Sequence, residues 1–108
     1  MNANFRRTKI LATLGPATDQ PGVLEQLLEA GVNVVRLNFS HGTPEQHAAR
    51  VAKVREISAS IGREVGVLAD LQGPKIRIEK FANDKVLLAN GQEFRLICRA
   101  DAPMGDET

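Results

Sequence analysis

Three short apolar runs of β character alternate with two segments of helical periodicity, and the links between them are short. The runs cover residues 8–14, 32–39 and 65–71. The first ends at Gly15-Pro16, a strong breaker pair. A helix opened by Pro21 and stopped by Gly31 carries Val23, Leu24, Leu27 and Leu28 at helical spacing. A second helix opens with Thr43-Pro44-Glu45-Gln46, a Thr cap with Pro in the first turn and Gln three residues after the cap. Val51, Val54, Ile57, Ser58 and Ile61 mark its inner face, and Gly62 stops it. This β-α-β-α-β order restricts the chain to parallel strands joined by crossover helices, an α/β fold.

The character changes after Gln72. Ile76, Ile78 and Phe81 alternate with charged residues, and residues 85–89 and 93–98 flank Asn90-Gly91, a strong hairpin signal. A boundary is expected at Gly73-Pro74, dividing the chain into a βα part (residues 1–73) and an antiparallel β part (residues 74–108). Residues 1–5 read as a loose leader and residues 101–108 as loop. Two and a half βα units cannot close a barrel, which takes about 200 residues or more, and an open parallel sheet leaves both edges unpaired. The 108 residues are therefore expected to be one piece of a larger enzyme.

The most informative stretch is residues 34–42, Val-Val-Arg-Leu-Asn-Phe-Ser-His-Gly. Strand side chains alternate between faces. Arg36, Asn38 and Ser40 share one face, while Val35, Leu37 and Phe39 share the other. Alternation alone also fits a strand with one wet face. Here the strand lies between two helices, and its polar groups converge at the C-terminal end, where α/β folds place ligands. Arg36 offers a planar fork of donors for phosphate or carboxylate. Asn38, Ser40 and Asp70, the last near the end of the third strand, offer oxygens suited to a hard cation; Asp70 alone also fits a loop cap. His41 fits either a phosphate contact or a turn cap. His47, on the second helix, is expected to be partly exposed. Lys75 and Arg77 share a strand face, either reaching an anion or lining an exposed charged surface.

Composition excludes several classes. The formal net charge is +1, and there is no Trp or Tyr and only four Phe, so neither the field nor the stacking platforms for nucleic acid are present. No apolar run reaches membrane-spanning length, and the run at residues 10–14 is a poor signal peptide; the default is a cytoplasmic protein. Cys98 is the only cysteine, which removes intrachain disulfides and cysteine metal sites. Beside Leu96 and Ile97 it is expected to be a buried thiol.

Three motifs together carry a family resemblance. Thr8-Lys9-Ile10 through Thr13-Leu14-Gly15-Pro16-Ala17, Asn33 through Gly42, and Ala69-Asp70-Leu71-Gln72-Gly73-Pro74-Lys75-Ile76-Arg77 resemble successive signatures of pyruvate kinases. The tail Gly105-Asp106-Glu107-Thr108 resembles the same family's lid segment. The resemblance implies the N-terminal part of a (β/α)8 barrel followed by the first antiparallel strands of an inserted β lid domain. It implies phosphoryl transfer from phosphoenolpyruvate to ADP, giving pyruvate and ATP in the last step of glycolysis, with homotetrameric assembly usual in the family. By position, Arg36 would contact the transferred phosphoryl group. Asn38, Phe39, Ser40 and His41, with Arg77, would lie along the nucleotide phosphates. Asn38, Ser40, Asp70 and the Leu71 carbonyl would form a monovalent cation (K⁺) site. The supporting lysine and the Mg²⁺ carboxylates of the family fall beyond residue 108, so the isolated chain is expected to be inactive. Family members that need K⁺ typically carry Glu at the position of Lys75 and Thr at that of Leu71. Leu71, Gln72, Lys75 and Ile78 together resemble the K⁺-independent group. The Lys75 ammonium would then supply the charge of K⁺, and Asn38, Ser40 and Asp70 would hydrogen-bond the lysine or the phosphate instead. Two other readings remain: another phosphoenolpyruvate- or pyruvate-using (β/α)8 enzyme, and a free-standing non-catalytic anion-binding domain.

Overall fold

A computed structural model describes residues 6–108; the leader expected over residues 1–5 lies outside them. The chain divides into two compact units, Met1–Gly73 and Pro74–Thr108.

The first unit runs β1 (Leu11–Leu14), α1 (Val23–Glu29), β2 (Val34–Asn38), α2 (Pro44–Ile61), β3 (Gly66–Asp70). The strands form one parallel sheet in the order β1-β2-β3. Register pairs Thr13 with Arg36 and Arg36 with Leu68, and Asn38 with Asp70. Paired residues share a face, so Thr13, Arg36, Asn38 and Asp70 lie on one side of the sheet. Leu14, Val35 and Leu37 lie on the other, where Leu24 and Leu28 of α1 and Val54 and Ile57 of α2 complete the buried core with Val32. The alternation in β2 thus sorts apolar side chains towards the helices and polar ones away from them.

Local chemistry sets the element ends. Thr43 Oγ1 accepts from the Gln46 N–H (3.3 Å), and Gln46 Oε1 accepts from the Thr43 N–H (3.0 Å), so the expected capping box starts α2 with Pro44 at its first position. Gly62, at φ 65°, ends it. Helix α1 begins at Val23, later than Pro21, because Gly22 at φ 77° is left-handed and serves as an N-cap with no side-chain bond. The β1 ladder likewise starts at Leu11. Ile10 just ahead of it is held by Asn33, whose Oδ1 accepts the Ile10 N–H at 2.9 Å. Arg63 donates to the carbonyl oxygens of Val32 (2.7 Å) and Leu28, closing the C-terminal end of α1 from the residue after the α2 cap.

The second unit departs from expectation. The Asn90-Gly91 turn forms, with Gly91 at φ 80° and the Gln92 N–H donating to the Ala89 carbonyl at 3.1 Å. The strands flanking it do not ladder. Among the described residues the unit's β pairing is an isolated parallel bridge between Phe81 and Gly105, and Phe81 packs edge-on against Phe94 at 6.4 Å. The reason is the lack of a packing layer: Ile76, Leu87 and Leu96 are exposed, and an isolated hairpin without a covered face is marginal in water. Cys98 is exposed rather than buried, for the same reason.

Candidate functional site

The polar face of β2 gathers a guanidinium, two strand neighbours and a loop. The Arg36 Nε–H donates to Asp70 Oδ2 at 2.9 Å, and Nη2 donates to the same oxygen. On the opposite side Nη1 donates to Thr13 Oγ1 at 3.1 Å. One side chain therefore ties all three strands. Arg36 stands opposite Leu68 in the register, so its fork reaches Asp70 diagonally, one pleat towards the strand ends. An arginine has five N–H donors, and these bonds engage three of them. The remaining two, on Nη1 and Nη2, are available to an anion. Arg36 is about 29% exposed, so the fork is oriented by its neighbours without being sealed off.

Residues 38–42 carry the chain out of β2. Asn38 Oδ1 accepts the Ser40 N–H at 3.0 Å, and the Asn38 carbonyl accepts the His41 N–H at 3.2 Å, a side-chain turn of the kind asparagine favours. The Phe39 N–H donates to the Asp70 carbonyl at 3.0 Å, and its own carbonyl accepts from Gln72 Nε2 at 2.6 Å. The ends of β2 and β3 are thereby joined by main-chain and side-chain bonds. Asp70 is thus bonded to Arg36 by its side chain and to Phe39 by its backbone, Asn38 is its register partner, and Ser40 is tied to Asn38; the Phe39 ring itself packs against the core. His41 caps the turn with its backbone while its side chain is exposed, and Leu71 is 72% exposed. Lys75 and Arg77 lie in the second unit and are exposed.

For a monovalent cation the donor set is right in kind: an amide oxygen, a hydroxyl and a carboxylate are hard donors, and Asn38 and Asp70 are register partners. The charge is already matched, because the Arg36 guanidinium sits on Asp70 Oδ2; the Arg36 bonds leave Oδ1 as the carboxylate oxygen for a cation or an ammonium. Among the described residues, no three His, Cys, Asp or Glu side chains gather to hold a metal.

Three participants escape sequence reading. Thr13 is found only through strand register. Gln72 enters through the family resemblance alone, and its bond to the Phe39 carbonyl is not legible in the sequence. His47, expected to be partly exposed, is 5% exposed; it lies in the first turn of α2, four residues after the Thr43 cap, and that spacing turns it back onto the loop. Elsewhere, Arg50 forms a two-bond fork with Asp19 (2.9 and 2.6 Å) between α2 and the β1–α1 connection. The guanidinium holds the Asp19 carboxyl below its usual range, and the carboxylate in turn raises Arg50.

Parallel strands joined by crossover helices, with an arginine fork and a turn of polar groups at their C-terminal ends, define the class: an α/β domain of the kind that opens a larger parallel-stranded fold. Residues 5–107 match the family model described as pyruvate kinase, barrel domain. The chain is 53% identical over 107 residues to pyruvate kinase II of Salmonella typhimurium, covering 99% of this chain and 22% of that protein. It is 48% identical over 108 residues to pyruvate kinase of Haemophilus influenzae, covering 100% and 22%. It is 50% identical over 96 residues to pyruvate kinase 2 of Synechocystis, covering 87% and 16%. The chain belongs to the pyruvate kinase family, and it spans about a fifth of the length of the first two relatives. Among the described residues no helix is long and apolar enough to cross a membrane.

Proposed function

We propose that this chain forms the opening of a pyruvate kinase that moves the phosphoryl group of phosphoenolpyruvate to ADP, giving pyruvate and ATP. The observation that carries the reading is the Arg36 fork, held by Thr13 and Asp70 with two N–H groups to spare. Phosphoryl transfer needs positioning and charge neutralisation more than covalent chemistry, and an arginine oriented before substrate arrives supplies both. Arg36 meets the phosphoryl group in flight, and the 38–41 loop lies along the nucleotide phosphates. Mg²⁺, when bound, neutralises phosphate charge, and its ligands lie outside these 108 residues. The Lys75 ammonium supplies the positive charge that K⁺ would supply, so turnover proceeds without K⁺. The complete protein is cytoplasmic and assembles as a homotetramer.

The test is pyruvate formation from phosphoenolpyruvate and ADP by the full-length polypeptide, in buffer with Mg²⁺ but free of sodium and potassium. Turnover that added K⁺ leaves unchanged is the expected result, together with an inactive isolated 108-residue chain. Absence of turnover with K⁺ present would overturn the reaction, and a strict K⁺ requirement would overturn the role given to Lys75.

A further inference from the structure

Among the described residues His47 is a buried polar side chain, and no step above uses it. Its Nε2 lies 2.7 Å from the His41 carbonyl oxygen. A carbonyl can only accept, so in this contact Nε2 carries a proton and donates it. The ring's Nδ1 is buried with no hydrogen-bond partner. The ring also stacks on Phe39, with centroids 4.6 Å apart and planes 25° apart. A phenylalanine at this position would give the stacking without leaving a polar atom unsatisfied. What the histidine adds is one bond, Nε2–H to the His41 carbonyl. Gly42 bears the mark of the same contact: a Cβ there would lie 3.3 Å from His47 Nε2 and 3.4 Å from Cε1, and its backbone is left-handed at φ 77°. The imidazole therefore grips the loop at both ends, Phe39 by its face and His41 by its N–H.

We propose that His47 is a positioning residue for the phosphate-facing loop 38–42, acting on nucleotide affinity through the His41 carbonyl while touching no ligand. The identity of the ligand as a nucleoside diphosphate rests on the function proposed above. A role in folding alone would move every kinetic constant and the melting temperature together. A positioning role moves the nucleotide constants selectively.

The experiment uses the full-length enzyme and two variants. His47→Phe keeps the stacked ring and removes the donor; His47→Gln keeps an N–H donor and loses the ring. In His47→Phe, Kd for Mg·ADP by calorimetry and KM for ADP rise about five- to tenfold, the size expected for one lost hydrogen bond and a loosened loop. KM for phosphoenolpyruvate and kcat stay within about twofold, and His47→Gln brings KM for ADP back towards the wild-type value. Histidine ¹⁵N–¹H correlation spectra of the wild type show His47 as the Nε2–H tautomer. Unchanged ADP constants in His47→Phe, a parallel fall of kcat with both KM values, or an Nδ1–H tautomer would each overturn the proposal. A wild type that binds ADP but makes no pyruvate would overturn the reaction instead, and the calorimetric comparison of the variants would still decide the role of His47.

Discussion

Arg36 and Asp70 meet although they are not register partners: Arg36 faces Leu68, Asp70 faces Asn38, and the guanidinium crosses one pleat to place Nε 2.9 Å from Oδ2. The diagonal aims the fork towards the C-terminal ends of the strands, where the Phe39 N–H donates to the Asp70 carbonyl. A guanidinium pointing straight across at Leu68 would find no acceptor there. The carboxylate thus acts as the aiming point for the arginine.

Removing the aiming point should therefore cost activity more than stability. In the full-length enzyme Asp70→Ala is expected to lower kcat/KM for phosphoenolpyruvate about a hundredfold and Asp70→Asn, which keeps an acceptor oxygen, about tenfold. Urea melts should show a loss of only about 1 kcal/mol, since both side chains are partly exposed and the pair is screened. Steady-state kinetics beside denaturation curves check both parts.

Gly42→Ala should be destabilising on two counts. The residue sits at φ 77°, and a Cβ would come within 3.1 Å of Gln46 Oε1, the acceptor of the capping box, as well as against His47. An expected loss of about 1–2 kcal/mol in the urea midpoint follows from the left-handed backbone alone.

Leu28 of α1 is fully buried in the core. Leu28→Ala leaves a cavity and should cost about 2–5 kcal/mol, measured as a shift in the denaturation midpoint at unchanged slope.

The Asp19–Arg50 fork sets a pH dependence. The arginine lowers the Asp19 carboxyl below 3.8 in the folded state. A group depressed on folding contributes stability above its unfolded value and loses it as pH falls through the folded value. Stability should thus fall as the pH drops below about 4. Asp19→Asn should remove that part of the slope while leaving the neutral-pH midpoint only slightly lower, because Asp19 is about 45% exposed and the pair is solvent-screened. Melts from pH 7 down to pH 3 on both proteins measure it.

The parts of this architecture that were legible in the sequence are those fixed within a few residues. Thr43, Pro44 and Gln46 specify a helix start by bonds they make to one another. The alternation through Val35, Arg36, Leu37 and Asn38 specifies which face is core, since parity along a strand needs no partner. What could not be read depends on distant chain. Thr13 and Asp70 become the partners of Arg36 only once three strands settle in register. His47 is buried because α2 starts where it does and Phe39 lies beneath it. The second unit teaches the converse lesson. Asn90-Gly91 turns as local preference dictates, yet Leu87 and Leu96 remain exposed, because turn chemistry brings two strands near each other and only a covered face keeps them paired.

The most direct test of the central claim is kcat/KM for phosphoenolpyruvate in the full-length enzyme carrying Arg36→Ala, with circular dichroism to verify the fold. An oriented guanidinium at the transferred phosphoryl group predicts a fall of about a hundred- to a thousandfold, with Arg36→Lys recovering only a small part because it lacks the planar fork. A folded Arg36→Ala enzyme that turns over within about threefold of the wild type would contradict the account.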